Sequence, residues 1–180
     1  TGKHVAFIDA GVKKGILREL KKRDCKITVF PYNATADEVM AVNPDLLMIS
    51  NGPGDPEDIP ETVETARALI GKLPVRGVCM GHLVIGLAMG CKTRKLKFGH
   101  HGANQPVKNL KTGRVSITSQ NHNYIVDDLP EELEVSYINV NDGTCEGIRG
   151  KSIDVQSVQF HPEASPGPLD TRNIFDDFLA

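Results

Sequence analysis

Short apolar segments alternate with amphipathic helical segments through the first half of the chain, and this alternation constrains the fold more than any other feature. A strand that is apolar along its whole length is covered on both faces, which is typical of a parallel sheet flanked by helices. Right-handed crossovers bring the loops after the third and fourth strands to one edge of such a sheet, where sites usually form. The predicted strands are 5–8, 27–30, 46–49 and 74–78, and the predicted helices are 13–22, 37–40, 61–70 and 82–89.

The second half of the chain is rich in strand patterns. Strands are predicted at 115–118, 133–137, 145–148 and 155–158, and a final helix at 173–180. We therefore expect an α/β fold, an open and mostly parallel sheet flanked by helices, with an additional antiparallel, strand-rich portion in the second half. No repeat, low-complexity tract or long linker divides the 180 residues, so a single domain over residues 1–180 is expected.

Charge and cysteine usage exclude several classes of function. Lys and Arg number 21 against 23 Asp and Glu, a formal charge of −2, which provides no electrostatic footprint for nucleic acid or an anionic membrane. No apolar run approaches the roughly 20 residues of a membrane span. Four cysteines without a CxxC pair indicate reduced thiols, so a cytoplasmic location is expected. The start at Thr1 is compatible with a domain taken from a longer chain.

The sharpest local signal is the segment Gly-Val-Cys-Met-Gly at 77–81, between a predicted strand and a predicted helix. A nucleophile on such a tight turn has a strained backbone, and flanking glycines leave room for it. The following helix directs its N-terminus at the sulfur and favours the thiolate, which is the reactive form. Cys79 is therefore predicted to be a nucleophile. The alternative is a buried structural cysteine at a strand end.

A cysteine nucleophile needs a base, and the base needs an orienting group. His161 and Glu163 follow the predicted strand 155–158, separated by Pro162. Residues two apart in an extended segment project to the same side, so the Glu163 carboxylate can hold the His161 ring and fix its tautomer. The alternative is an ordinary surface turn.

The loop at 51–56, Asn-Gly-Pro-Gly-Asp-Pro, supplies a third element at the end of a buried strand. Backbone N–H groups of such a turn, together with the N–H of Met80, would stabilise the oxyanion of a tetrahedral intermediate. The alternative is a tight turn without a chemical role.

With these three elements the chain resembles the class I glutamine amidotransferases, which are Cys-His-Glu glutaminases on a flavodoxin-like α/β sheet. Within that family it is most similar to the glutaminase domain of carbamoyl-phosphate synthetase small subunits. The elbow and His161-Pro162-Glu163 mark the superfamily. The subfamily marks are 50–56 (Ser-Asn-Gly-Pro-Gly-Asp-Pro), 97–102 (Lys-Phe-Gly-His-His-Gly), 120–122 (Gln-Asn-His) and 161–168 (His-Pro-Glu-Ala-Ser-Pro-Gly-Pro).

The resemblance implies hydrolysis of L-glutamine to glutamate and ammonia through a thioester, with no cofactor. It makes Cys79 the nucleophile, His161 the acid/base and Glu163 the orienting carboxylate. Gly52 and Gly54 line the implied oxyanion loop, and the substrate-binding positions are Met80, Leu83, Asn121, Asn123 and Tyr124. The implied partner is the large synthetase subunit. ATP is expected to bind to that subunit and not to this chain. In the family a separate N-terminal domain helps to close the glutamine site, and we expect residues 1–180 to correspond to the glutaminase domain without it.

Two substrate positions depart from the family pattern. Leu83 stands where the family has a glutamine that contacts the substrate, and losing that hydrogen bond costs about 1–3 kcal/mol, or roughly ten- to hundred-fold in rate. Asn123 stands where the family has glycine. A weakly active or non-catalytic regulatory module of the same fold is therefore an alternative, and a glutaminase serving anthranilate or GMP synthesis is another. His82, His100, His101 and His122 lack the spacing of a zinc motif, so loop packing rather than metal binding is expected.

Overall fold

The computed structural model describes residues 2–11, 14–50, 52, 55–163 and 173–180. The first half alternates strands and helices, as the apolar periodicity predicts. Its strands are β1 (His4–Asp9), β2 (Lys26–Pro31), β3 (Leu46–Ile49) and β4 (Val75–Val78), and its helices are α1 (Lys14–Lys22), α2 (Ala36–Met40), α3 (Pro60–Leu69) and α4 (Met80–Ala88). The second half contains β5 (Lys92–Asn109), β6 (Val115–Asp127), β7 (Leu133–Asn139), β8 (Cys145–Gly150), β9 (Val155–Val158) and α5 (Asn173–Leu179).

Among the described residues, nine strands form one sheet in the order β2-β1-β3-β4-β9-β8-β7-β5-β6. The first five strands in this order are parallel, which is the flavodoxin-like arrangement, and the last four join by antiparallel pairing. The predicted fold class is confirmed. Strand β9 belongs to the parallel part, because it pairs with β4 rather than only with its antiparallel neighbour.

The inner parallel strands are covered on both faces, and their residues alternate between two apolar clusters, whereas the edge strand β2 is only half-buried. In β1, Ala6 and Ile8 pack into the cluster under α2, α3 and α4, whereas Val5 and Phe7 pack into the cluster with α1 and α5. This alternation explains why the strands are apolar at successive positions. No helix of the described residues is long and apolar enough to cross a membrane.

The antiparallel part curls back over the end of the parallel part. The amide of His161, which follows β9, donates to the carbonyl of Ser119 in β6 (3.0 Å). The side chain of Gln120 in β6 reaches Glu146 in β8 (2.6 Å). Strand β6, the last in the sheet order, is therefore brought beside β8 and β9, which places its residues near the loops that follow β3 and β4.

Candidate active site

Cys79 lies at the sharp turn between β4 and α4, where it caps the N-terminus of the helix. Its backbone has φ 54° and ψ −103°, a region that residues with a side chain rarely adopt. The turn is held by hydrogen bonds from the Cys79 amide to the Val158 carbonyl (2.9 Å) and from the Gly81 amide to the Ser50 carbonyl (3.1 Å). A Cβ at Gly81 would overlap the Ile49 carbonyl oxygen, so the close approach of α4 to β3 requires glycine.

The loop after β3 lies beside this turn, as the crossover rule predicts. Ser50 is fully buried, and its hydroxyl accepts a hydrogen bond from the Ala10 amide (2.9 Å). A Cβ at Gly52 would collide with the backbone carbonyl of Ala10, so the chain passes here only with glycine. Gly54, the other residue predicted for an oxyanion loop, lies outside the described residues.

His161 and Glu163 come together beside the elbow. Nδ1 of His161 lies 3.1 Å from Oε1 of Glu163, and both side chains are buried. Helix α1 packs closely on the carboxylate side, because a Cβ at Gly15 would lie 2.9 Å from Cγ of Glu163. Burial lowers the pKa of His161, but its interactions with the Cys79 sulfur and the Glu163 carboxylate outweigh burial and raise the pKa to about 9. The sulfur, the imidazole and the carboxylate thus form one interacting chain.

Gln159 is a neighbour of the sulfur that the sequence reasoning missed. Its side-chain Nε2 donates to Sγ of Cys79 at 3.7 Å, and the residue is fully buried. The signal was present, because Gln159 stands two residues before His161 and alternation in an extended segment directs both side chains the same way.

The predicted substrate positions on β6 lie in a polar group above the parallel strands. Asn121 and Asn123 are exposed, and their Oδ1 atoms lie 2.8 and 3.1 Å from the two ring nitrogens of His101. Tyr124 reaches the beginning of the turn that follows the β3 loop. Partial burial and the nearby carboxylates of Asp55 and Asp58 raise the pKa of Tyr124. The curl of the sheet therefore brings this part of β6 to the β3 loop.

The predicted positions on α4 differ from those on β6, because their side chains face the core. Met80 and Leu83 are both 2% exposed and pack in the apolar cluster between the sheet and helices α2 to α4. His82 is fully buried, and its Nδ1 lies 2.7 Å from the Ser157 hydroxyl. Burial lowers the pKa of His82 to about 3, so this ring is neutral and fastens α4 to β9.

Comparison with curated proteins identifies relatives over almost the whole chain. It is 53% identical over 178 residues to the carbamoyl phosphate synthase small chain of Clostridium perfringens, covering 99% of this chain and 51% of that protein. It is 52% identical over 179 residues to the pyrimidine-specific small chain of Bacillus subtilis, covering 99% of this chain and 49% of that one. The chain therefore spans about half the length of the curated relatives it matches.

Solved structures show the same fold at low sequence identity. A Thermoplasma acidophilum protein described as a GMP synthase component superposes with a TM-score of 0.86 at 21% identity, covering 99% of this chain and 93% of that one. A glutamine amidotransferase of Thermotoga maritima superposes with a TM-score of 0.74 at 15% identity, covering 99% and 84%. The model of the family "Glutamine amidotransferase class-I" matches residues 6–180. With an elbow cysteine next to a His-Glu pair on this sheet, the chain belongs to the class I glutamine amidotransferases.

Proposed function

We propose that this chain hydrolyses L-glutamine to glutamate and ammonia, with Cys79 as nucleophile, His161 as acid/base and Glu163 as the carboxylate that orients it. The observation that carries the proposal is the buried His161–Glu163 pair just after β9, the strand that pairs with β4, which leads into the Cys79 turn. The Cys79 sulfur contributes to the raised pKa of His161. A thiolate and an imidazolium stabilise one another in such a pair, which supplies the nucleophile and the proton for the leaving group.

The chemistry proceeds in two halves. The Cys79 thiolate attacks the carboxamide carbon of glutamine, and the C–N bond of the tetrahedral intermediate breaks as His161 gives its proton to the leaving nitrogen. Ammonia departs and a thioester remains. His161, now neutral, takes a proton from water as that water attacks the thioester carbon. The C–S bond of the resulting tetrahedral intermediate then breaks, which releases glutamate and restores the Cys79 thiolate beside the protonated His161.

The oxyanion of the intermediate needs donors next to the sulfur, and the N-terminus of α4 provides one. The amides of Cys79 and Gly81 donate hydrogen bonds to backbone carbonyls. The Met80 amide between them donates to no acceptor within the described ranges. Two flanking amides fixed by hydrogen bonds hold the Met80 N–H in place beside the sulfur, as an oxyanion donor requires. The amide of Gly52 in the adjacent loop is the proposed second donor, and the family assigns Gly54 to the same loop.

Substrate binding is proposed at the positions that bind glutamine in the family. At one of them, Leu83, this chain is expected to lack a hydrogen bond to the substrate. Asn121, Asn123 and Tyr124 provide polar groups on β6, while Met80 contributes its backbone. Leu83 has no polar atom in its side chain, so it replaces a hydrogen-bonding partner by an apolar one. A weakly active or non-catalytic module of the same fold is the second candidate, and Leu83 is the residue that favours it.

The ammonia is proposed to be the substrate of a carbamoyl-phosphate synthetase large subunit, and ATP is proposed to bind to that subunit. A cytoplasmic location is proposed for this chain. The support is the identity of more than half to proteins named as small chains of that enzyme, one of them pyrimidine-specific. Pyrimidine biosynthesis is thus the favoured setting, and arginine biosynthesis is the alternative use of carbamoyl phosphate.

Glutamine hydrolysis measured with and without a large subunit tests this proposal. We expect ammonia release that rises when the large subunit is added, that Cys79→Ala abolishes and that Cys25→Ala, a change at a distant thiol, leaves unchanged. A glutamine-mimicking electrophile should label Cys79 in peptide mass spectra. Labelling of another residue, or wild-type release from Cys79→Ala, contradicts the assignment.

Leu83→Gln separates the two candidates. If the missing amide limits a working glutaminase, restoring it should raise kcat/KM about ten- to hundred-fold. A thermal melt accompanies the assay, because Leu83 is buried and a glutamine there costs stability. No ammonia release by wild type or by Leu83→Gln, with the large subunit present and the fold intact, favours the non-catalytic module.

A further inference from the structure

Two histidines and a glutamate outside the triad converge in the buried space between β5, β6 and β8. Strand pairing sets His100 opposite His122, and Glu146 approaches from β8. Nδ1 of His100 and Nε2 of His122 are 3.2 Å apart, Nε2 of His122 is 3.8 Å from Oε1 of Glu146, and Nδ1 of His100 is 3.8 Å from Oε2 of Glu146. All three residues are buried. They form a compact group with one ligand-type atom from each side chain facing the same space.

The outer nitrogens of both rings are already engaged. Nε2 of His100 lies 2.7 Å from the Asp142 carboxylate, and Nδ1 of His122 lies 2.9 Å from the Tyr124 carbonyl oxygen. Both partners are acceptors, so these two nitrogens carry the protons of neutral rings. The inner nitrogens, Nδ1 of His100 and Nε2 of His122, therefore direct lone pairs at each other.

Gln120 adds a third acceptor to the same space, and its orientation is fixed. The Thr118 hydroxyl donates to the backbone carbonyl of Gln105 (2.8 Å), so the Thr118 oxygen must accept from Nε2 of Gln120 (2.9 Å). The same Nε2 donates to Oε2 of Glu146 at 2.6 Å. The carbonyl oxygen of Gln120 consequently lies against Nε2 of His122, at 2.7 Å.

Glu146 completes the set with an oxygen that lacks a partner. Oε2 accepts from Gln120 and from Asn139 (3.0 Å), but Oε1 is buried and has no hydrogen-bond partner in the described part of the chain. Nor does any Lys or Arg of that part pair with this carboxylate. A second proton on His122 would satisfy Gln120 but not Oε1 of Glu146, which at 3.8 Å is too distant for a hydrogen bond. A cation in the centre satisfies every one of these acceptors.

We propose that His100, His122 and Glu146 bind a divalent transition-metal ion, zinc first, through Nδ1, Nε2 and Oε1 respectively. Ligand atoms around tetrahedral zinc with bonds of about 2.0 Å are about 3.3 Å apart. The two histidine nitrogens are 3.2 Å apart, and Nε2 of His122 is 3.8 Å from Oε1 of Glu146. Metal-binding histidines give their other N–H to a carboxylate or a backbone carbonyl, and Asp142 and Tyr124 already hold these positions. Linear spacing did not reveal the site because antiparallel pairing, not helical or CxxC spacing, brings the two rings together.

The site rests on the contacts of β5, β6 and β8 and is independent of the proposed glutaminase reaction. A bound ion would join three strands of the curled part of the sheet. His122 lies between Asn121 and Asn123, so the ion would also fix the stretch of β6 that carries the proposed substrate groups.

Zinc titration of the chelator-treated 180-residue chain tests the proposal by calorimetry. We expect about one zinc per chain, unchanged in Cys79→Ala, which removes the thiol that could compete for zinc. Glu146→Gln preserves the shape of the side chain and should weaken zinc binding at least about 100-fold. Replacing a group that only hydrogen-bonds a metal ligand typically costs about 10–100-fold, and Glu146 is proposed to be a charged ligand itself. The matched controls Glu134→Gln and His4→Gln should bind as wild type does.

Cobalt provides a second measurement on the unmutated chain and does not depend on any variant folding. Co²⁺ should give the visible bands of a four-coordinate ion without a thiolate charge-transfer band, and zinc should displace it. Far-UV circular dichroism of metal-free Glu146→Gln verifies its fold. Absence of zinc binding to wild type, equal binding by Glu146→Gln, or loss of binding in Cys79→Ala each overturns the proposal.

Discussion

The backbone of Cys79 carries a strain that a pair of substitutions can measure. Its φ of 54° and ψ of −103° suit glycine but not a residue with a Cβ. Both Cys79→Ala and Cys79→Gly remove the thiol, so the comparison is free of thiol chemistry. Only Cys79→Gly removes the Cβ and with it the strain.

The expected size follows from three contributions. Strain in such a region costs on the order of 1–3 kcal/mol, with about 2 as the central value, and glycine releases it. Relative to Cys79→Ala, Cys79→Gly loses about 0.8 kcal/mol of stability because it lacks the buried methyl group. It loses a further 0.5–1 kcal/mol, roughly, because glycine makes the unfolded chain more flexible. Ala41→Gly is the control, since Ala41 is exposed with an ordinary φ of −61° and ψ of −25°, and only the unfolded-chain contribution applies there. The change from Ala to Gly should thus be about 1 kcal/mol more favourable at position 79 than at position 41.

Urea unfolding under reducing conditions, followed by circular dichroism, measures both changes. A difference of 1 kcal/mol corresponds to about 2–4 °C in Tm for a chain of this size. If glycine costs as much at position 79 as at position 41, or more, the elbow holds no strain and the argument from its geometry fails.

Two further predictions concern charged groups. In Glu163→Gln the pKa of His161, about 9 in the wild type, should fall, as read from NMR of labelled histidine, because of the two groups that oppose burial the Cys79 sulfur remains and the Glu163 carboxylate is gone. A histidine with a raised pKa stabilises the fold fully below pH 6.5, and this stabilisation is lost as pH rises through 9. Between these pH values the free energy of unfolding should therefore fall by roughly 1–3 kcal/mol more in the wild type than in Glu163→Gln. Equal falls would contradict the assignment. Asp154→Asn should lower the free energy of unfolding in urea by about 1–3 kcal/mol, because it removes the charge 2.7 Å from the buried guanidinium of Arg76. Asp128→Asn, at an exposed pair with Lys92, should change the free energy of unfolding by less than about 0.5 kcal/mol. Equal effects would show that burial of Arg76 is irrelevant.

The parallel half was predictable because β1, β3 and β4 are buried on both faces and helix α1 has a periodic apolar face. The predicted strand 46–49 coincides with β3, and 155–158 coincides with β9. Helix α4 begins at Met80, two residues before the predicted start, because its first residues belong to the elbow and carry little periodic signal.

The ribbon of β5 and β6 was largely missed, and the reason is physical. Strand β5 extends over 18 residues, most of them polar and exposed, so backbone pairing rather than apolar alternation holds it in place. Two irregularities in its register with β6 further break the period of two. The expectation that His100 and His101 pack in a loop was therefore wrong, since both lie on β5.

The candidate triad was accessible from sequence because its parts are local signals at the ends of strands. What sequence could not give is which distant side chains share a cavity. Glu146 among the histidines is placed by sheet order and curl and leaves no mark in the linear pattern. Gln159 at the sulfur did leave one, in its spacing of two residues from His161.

The topology places the proposed triad and the proposed substrate groups on different parts of the sheet. Cys79 and His161 follow two adjacent parallel strands, β4 and β9, and the Cys79 amide is itself bonded to the end of β9, so their proximity is set by the central sheet. The proposed substrate groups come from β6, at the far end of the strand order, and reach the elbow only through the curl. Two departures from the family pattern, Leu83 and Asn123, fall on proposed substrate positions, while all three proposed triad residues are retained. Differences from related glutaminases should therefore appear first in KM, with the acyl-transfer step and its dependence on Cys79 preserved.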